Sequence, residues 1–206
     1  EKWQIKFEFN YPRIVTTYKI WGRSNAKDNN QTPKKWELRA AFGKDNYDKT
    51  RPESYVVLDK QEEDQHKTFI NFDNTKVLLA SENPQYANVY NISNPNSKGY
   101  TYYVLHVTDN GGHAEYCTIS EIGLYSNSNY YQYINMDWYD TICLAGAGVD
   151  PIPGGGDTFS IDGSATYAAG KYGTLKNLVN DKIGWLDEEL IHLEKDTDEK
   201  WQIKFE

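Results

Sequence analysis

Residues that could carry catalysis are scattered along this chain rather than grouped. Its four histidines lie at positions 66, 106, 113 and 192, and the sequence holds neither a Gly-x-Ser-x-Gly turn nor a His-Glu-x-x-His metal motif. Acidic side chains run together at Glu62–Asp64 and at Asp187–Glu189, in hydrophilic stretches typical of solvated loops. Neither run indicates the cleft and the spatial separation that a glycosidase pair needs. The sequence therefore predicts that the protein is not an enzyme.

Composition limits the remaining classes of function. The 206 residues carry a formal net charge of -8 and no cluster of Lys and Arg, which argues against binding a nucleic-acid backbone. No apolar run approaches the length that a membrane span requires. Seventeen Tyr and six Trp favour β-structure, because aromatic side chains are common in strands.

The elements that would position any site are short strands. Aromatic or β-branched runs alternate with turn-forming segments up to about residue 125, and no long amphipathic helix is evident. This pattern predicts an all-β fold, an antiparallel β-sandwich. The predicted strands are WQIKFEF, RIVTTYKIWG, KWELRAAFG, SYVVLDK, TFINF, NVYNI, YTYYVLHVT and CTISEIGLYS.

The same octapeptide, EKWQIKFE, occupies residues 1–8 and residues 199–206. Apolar and polar residues alternate in it, as in a strand with one buried face. The duplication predicts a window on a repeat of 198 residues, cut from a longer polypeptide whose amino terminus and any secretion signal lie elsewhere. The alternative is that the chain is engineered or that its numbering is arbitrary. The predicted junction residues are Trp3, Ile5, Phe7, Trp201, Ile203 and Phe205.

At about residue 126 the strand-like runs give way to a stretch rich in Gly and Pro. This change in composition predicts that the chain has three parts. Residues 1–125 form most of one domain, residues 126–162 a Gly/Pro-rich connector, and residues 163–206 the opening segment of the next domain. The stretch GAGVDPIPGGG in the connector lacks both the Lys of a P-loop and the spacing of a dinucleotide-binding turn. We therefore interpret it as a linker.

Two further features favour an extracellular or cell-surface protein. Cys117 and Cys143 permit one disulfide, which would attach the connector to the last predicted strand, and Asn30 and Asn91 begin glycosylation sequons. The alternative is that both cysteines are free and the sequons incidental.

Joined in the order 163–206 and then 9–125, the sequence resembles the discoidin family, also called coagulation factor 5/8 type C domains, which overlaps with galactose-binding-like carbohydrate-binding modules. The closing part, Tyr102–Leu105 with Ile119–Tyr125, is similar to the family's "YYRL … ISEIELYG" ending. Further matches are GSAT, NLVND at 177–181, Trp185, WQIKF at 201–205, YKIWGRSN, and PKKWEL at 33–38.

The resemblance implies an eight-stranded antiparallel jelly roll with ligand loops at one end. It also implies a possible calcium ion near Glu121, although the segment 180–184 lacks the Thr that this family often uses there. Sugar-binding residues are expected in the same loops, where polar side chains and aromatic rings would meet. The candidates are Arg23, Asn25, Asn110, His113, Tyr167 and Tyr172.

Two functions follow as predictions. The duplicated strand and the aromatic connector favour a structural repeat of an extracellular fibre or surface adhesin whose partners are copies of itself. These copies would be either repeats in one chain or separate subunits that exchange a terminal strand. The alternative is a carbohydrate-binding module, with glycans as partners and no cofactor except possible calcium.

Overall fold

The computed structural model describes residues 3–23, 30–70, 72, 78–80, 82–96, 98–114, 116–127, 141–145, 159–163, 182–183 and 191–194. Within these residues the only helical segments are four 3-10 turns of three residues each. No helix in the described part is long and apolar enough to cross a membrane. The turns span Lys44–Asn46, Pro52–Ser54, His66–Thr68 and Pro84–Tyr86.

Strands make up the rest of the regular structure. They are β1 (Trp3–Arg13), β2 (Thr17–Trp21), β3 (Pro33–Ala41), β4 (Val56–Gln61), β5 (Leu78–Leu79), β6 (Ala87–Asn91), β7 (Tyr100–Asn110), β8 (Tyr116–Ile119), β9 (Glu121–Asn127), β10 (Thr141–Ala145), β11 (Phe159–Gly163), β12 (Lys182–Ile183) and β13 (Ile191–Glu194).

These strands form antiparallel sheets. Sheet A has the order β11-β1-β7-β3-β4, and sheet B has the order β10-β9-β2-β6. Two short pairs, β12-β5 and β13-β8, complete the pairing, and every pair of strands runs antiparallel. The predicted all-β class is thereby confirmed.

Strand β1 shows why this sequence forms a strand. Its buried and half-buried residues alternate, and Trp3, Ile5 and Phe7 are 2%, 0% and 0% exposed. Full burial of such a side chain contributes about 1.5–3 kcal/mol, so this face is a large part of the core energy. Side chains of both sheets join them in one cluster, including Leu105 of β7 and Ile20 of β2.

Strand β7 lies at the centre of sheet A and is buried on both faces. Its inner face contributes Tyr103 and Leu105 to the main core. On its other face Val104 packs with Ala41 and Tyr102 in a second cluster against Tyr47. This burial explains why the run YTYYVLHV is almost continuously apolar instead of alternating with polar residues.

A chain of hydrogen bonds closes the core where strand β4 forms the edge of sheet A. Trp36 Nε1 donates to Tyr18 Oη at 2.9 Å, and that hydroxyl donates to Asp59 Oδ2. Gln61 Nε2 also donates to Asp59 Oδ2, at 2.9 Å. The buried Trp36 and Tyr18 polar atoms are thus satisfied, and the Tyr18 ring stacks on Tyr90 with centroids 4.9 Å apart.

Two predicted strands differ in the structure. In the run TFINF, none of the described residues 68–70 and 72 belongs to a strand: the 3-10 turn ends at Thr68, and the fully buried Phe69 packs in the core outside any strand. CTISEIGLYS is interrupted at Ser120, whose N–H donates to the carbonyl of Trp21. Strands β8 and β9 on either side of this break belong to different sheets, because each pairs with other partners.

Strands from the later part of the chain pair with the 1–125 segment. Within the predicted connector β10 pairs with β9, and β11, at its end, pairs with β1. Strands β12 and β13 pair with β5 and β8. The division of the chain at residues 126 and 162 stays a prediction.

The duplicated octapeptide supplies its own control for the role of β1. We expect Ile5→Ala to lower the free energy of unfolding by about 2–5 kcal/mol, because it leaves a cavity in the core. The same change in the second copy, Ile203→Ala, should cost far less in a dilute monomer, because residues 1–8 already fill the β1 position. Urea unfolding of both variants measures the difference, and equal losses would contradict the assignment.

Alkaline pH should weaken the fold through two tyrosines. Burial, followed by the hydrogen bond to Asp59, raises the pKa of Tyr18, and burial raises the pKa of Tyr90 to about 12. Unfolded tyrosines ionise near pH ~10. Stability from these groups is therefore complete below about pH 10 and falls as the pH rises toward 12.

We expect Tyr18→Phe to make that decline shallower by up to about 1.4 kcal/mol per pH unit, while lowering stability at neutral pH by about 1–3 kcal/mol. The neutral-pH loss follows because Trp36 Nε1 loses its acceptor. Urea unfolding between pH 8 and pH 11 measures both effects, with the exposed Tyr11→Phe as control. An unchanged slope in Tyr18→Phe would refute the prediction.

Candidate functional site

The first candidate site is the position of residues 3–8 between two neighbouring strands. On one side Ile5, Lys6 and Phe7 lie opposite Gly163, Asp162 and Ile161 of β11. On the other side the same residues lie opposite Leu105, Val104 and Tyr103 of β7. Residues 5–8 of the octapeptide are therefore paired on both sides. The second copy at 199–206, with junction residues Trp201, Ile203 and Phe205, lies outside the described residues.

The second candidate site is a group of loops that residues 30–32 hold together. His113 N–H donates to the carbonyl of Asn30 at 3.0 Å, Thr118 N–H to that of Gln31 at 2.8 Å, and Gly111 N–H to that of Thr32 at 3.0 Å. Asn30 adopts a positive φ of 56°, which asparagine tolerates better than most residues. This short segment thus joins the 110–118 turn to the start of β3.

Gln31 connects Arg23 to this turn through its side chain. Arg23 Nη1 donates to Gln31 Oε1 at 3.0 Å, and Thr118 Oγ1 donates to the same oxygen at 2.9 Å. We call Arg23, Gln31, His113, Tyr116 and Thr118 the loop cluster. Two predicted sugar-binding residues, Arg23 and His113, are therefore brought to one group of loops by a segment that lies between them in space.

Asn110 shapes the turn of the loop cluster. It is buried, its Nδ2 donates to the carbonyls of His113 and Tyr116, and its Oδ1 accepts from Gly112 N–H at 3.1 Å. Its amide is thus engaged on both ends. We assign it a positioning role rather than direct contact with a ligand.

His113 and Tyr116 form the aromatic part of the loop cluster. Their rings stack with centroids 5.0 Å apart, and Tyr116 N–H donates to His113 Nδ1 at 3.1 Å. A neutral His113 therefore carries its proton on Nε2. Both side chains are half-buried. A guanidinium, an imidazole N–H and an aromatic ring together suit a hydroxyl-rich ligand such as a sugar.

His66 packs against the turn of the loop cluster, a position that the sequence did not predict. The buried ring shares a hydrogen bond between Nδ1 and Thr32 Oγ1, and the backbone of His66 is fixed by Asp64 Oδ1. Gly111 lies against this ring so closely that a Cβ would meet His66 Nδ1 at 2.6 Å. Only glycine allows this close approach without displacement of the ring.

The structure describes only some of the other predicted site residues. Asn25, Tyr167 and Tyr172 lie outside the described residues. The sequon residues Asn30 and Asn91 are both exposed, and Asn91 Oδ1 accepts from Thr17 Oγ1 at 3.1 Å. Glycosylation at these two positions stays a prediction.

Of the two cysteines in the predicted disulfide, the structure describes the side chain of Cys117, and the pairing itself stays a prediction. Cys117 is a free thiol, fully buried in the main core. Burial raises the pKa of this thiol, which keeps it protonated and unreactive. Cys143 lies on β10 opposite Tyr125 of β9, whereas Cys117 lies on β8. The two cysteines therefore belong to strands of different sheets.

Calcium at Glu121 gains no support from its surroundings. Glu121 is fully buried at the start of β9, opposite Trp21 of β2. Across the described ranges no group of three or more His, Cys, Asp or Glu side chains is placed to hold a metal ion. The calcium site stays a prediction, with no further ligand to name.

Comparison with models of protein families, with curated proteins and with solved structures gives no match for this chain.

The amide of Asn110 offers a test of how the loop cluster is held. We expect Asn110→Asp to lower stability by about 1–3 kcal/mol, because a carboxylate cannot donate to the carbonyls of His113 and Tyr116. Asn96→Asp is the matched control, since Asn96 Oδ1 only accepts from Lys98 N–H and a carboxylate can do the same. Thermal unfolding compares the two, and an equal effect would contradict the positioning role.

Proposed function

We propose that this chain is a structural repeat unit of an extracellular fibre or a cell-surface adhesin. In this proposal sheets A and B form a sandwich of the jelly-roll type, and the unit is related to discoidin domains. The observation that carries the proposal is the duplicated octapeptide, whose first copy is an interior strand with a fully buried apolar face. A second copy of such a strand needs a second place to bury the same face.

The edge of sheet A supports a joint at β1 over simple edge-to-edge pairing. The edge strand β4 carries a bulge where its register shifts between Leu38 and Arg39 of β3. Asp59 lies opposite the buried Leu38, and its carboxylate accepts from the buried Tyr18. Bulges and inward-pointing charges on edge strands are devices that oppose pairing with another sheet.

Electron microscopy and sedimentation velocity of the 206-residue chain at rising concentration test the proposal. We expect fibres with an axial period of one unit, and sedimentation coefficients that rise with concentration. A variant with Trp201, Ile203 and Phe205 all changed to Ala should form shorter fibres or none. Dispersed compact particles of the unchanged chain at every concentration would refute the fibre.

Sugar binding is the second candidate function, and the loop cluster favours it. Arg23 and His113 are separated by almost ninety residues in sequence, yet residues 30–32 join them through Gln31 and Asn30. This convergence places a guanidinium, an imidazole and the Tyr116 ring in one group of loops. Recognition of glycan hydroxyls would use the first two, with stacking on the ring.

A glycan array tests this second function. We expect Arg23→Ala with His113→Ala to abolish at least nine tenths of the binding that the unchanged chain shows, because both polar contacts are lost. Arg51→Ala, which removes an exposed guanidinium paired with Glu53, is the control and should bind normally. Equal binding by the double variant would exclude the loop cluster as the sugar site.

A further inference from the structure

Strand β11 has two identical candidate partners in this chain. In the structure it pairs with the first octapeptide, with Ile5 opposite Gly163 and Phe7 opposite Ile161. The second octapeptide offers the same side chains in the same order at Ile203 and Phe205.

Strand β7 lies on the other side of the first octapeptide, and it could pair with the second octapeptide in the same register. In the structure Gln4 lies opposite His106, and Gln4 Nε2 and His106 Nδ1 are 2.9 Å apart. Gln202 is the counterpart of Gln4 in the second copy. Replacement of residues 3–8 by the identical residues 201–206 would therefore preserve the cross-strand register that residues 3–8 have with β7 and β11.

We propose that, in the assembled fibre, the position that residues 3–8 occupy beside β7 and β11 is filled by the matching residues 201–206 of a second copy of this chain. This inference rests on the proposed function. Exchange of an identical element costs little, and a head-to-tail exchange that does not close on itself generates an open fibre. The occupant is an extended strand with Trp, Ile and Phe on one face, added between existing strands.

Concentration decides which copy occupies the position. In dilute solution the first copy wins, because it is covalently continuous with Phe9–Arg13 in the rest of β1. Within an assembly neighbouring chains hold the second copy at an effective concentration in the millimolar range, on the order of that of a tethered segment. The monomer is thus the dilute form and strand exchange belongs to the fibre.

Cysteine pairs distinguish the two occupants in the full chain. The test variant carries Gln202→Cys with His106→Cys, and the control carries Gln4→Cys with His106→Cys. Cys143→Ser is added to both, while the buried Cys117 is left in place. Directly opposed residues of antiparallel strands have Cα atoms about 4.5–5.5 Å apart, within the range that a disulfide bridges.

After mild oxidation of fibres, we expect the test variant to give a ladder of covalent multimers on a non-reducing gel. The control should give a bridge within one chain when oxidised as a dilute monomer. Fibres with no bridge in the test variant, or a bridge only within single chains, would overturn the strand exchange and leave the fibre intact. Absence of fibres from the unchanged chain would instead refute the proposed function.

Discussion

Burial of one face of an eight-residue strand is the constraint on which this structure depends. Trp3, Ile5 and Phe7 lie in the main core. The backbone of Ile5 and Phe7 is paired on both sides, and Trp3 lies opposite Val107 of β7. An interior strand has no edge to offer to solvent, so its apolar face and its backbone groups are satisfied together. Removal of this strand would expose the core and leave edges on β7 and β11.

Strand β11, from the later part of the chain, joins sheet A through this strand. Among the described residues its partner in sheet A is β1, so the five-stranded order of sheet A requires a filled β1 position. In the fibre that we propose, a duplicate of the strand makes this position the joint between units. The bulged edge at β4, with the inward-facing Asp59, is poorly suited to that task.

Alternation and aromatic content predicted much of the fold. Seven of the eight predicted runs contain strands, because their period of two follows from the pleat itself. The prediction for TFINF was wrong because Phe69 and Phe72 are buried in two different clusters without belonging to a strand, and two buried aromatic residues at this spacing look like part of a strand in the sequence. At the break Ser120 N–H donates to the carbonyl of Trp21, a residue far away in the sequence, and no local pattern encodes this bond.

The loop cluster was only partly predictable. Arg23 and His113 came from a resemblance, whereas Gln31 and Thr118 carry no signal of their own beyond a sequon and a strand. His66 was visible as a lone histidine, but its role depends on the close approach of Gly111 from a distant turn. Such contacts arise from the pairing of strands far apart in sequence, which residue type and spacing do not determine.

Hydrogen–deuterium exchange of the two octapeptide copies tests the central claim most directly. The copies are distinguishable by mass spectrometry because different residues flank each of them. We predict slow exchange for residues 3–8 in the dilute monomer, and protection of residues 199–206 that appears only on assembly. Rapid exchange of residues 3–8 in the folded monomer, or no gain of protection at 199–206 in fibres, would contradict the account.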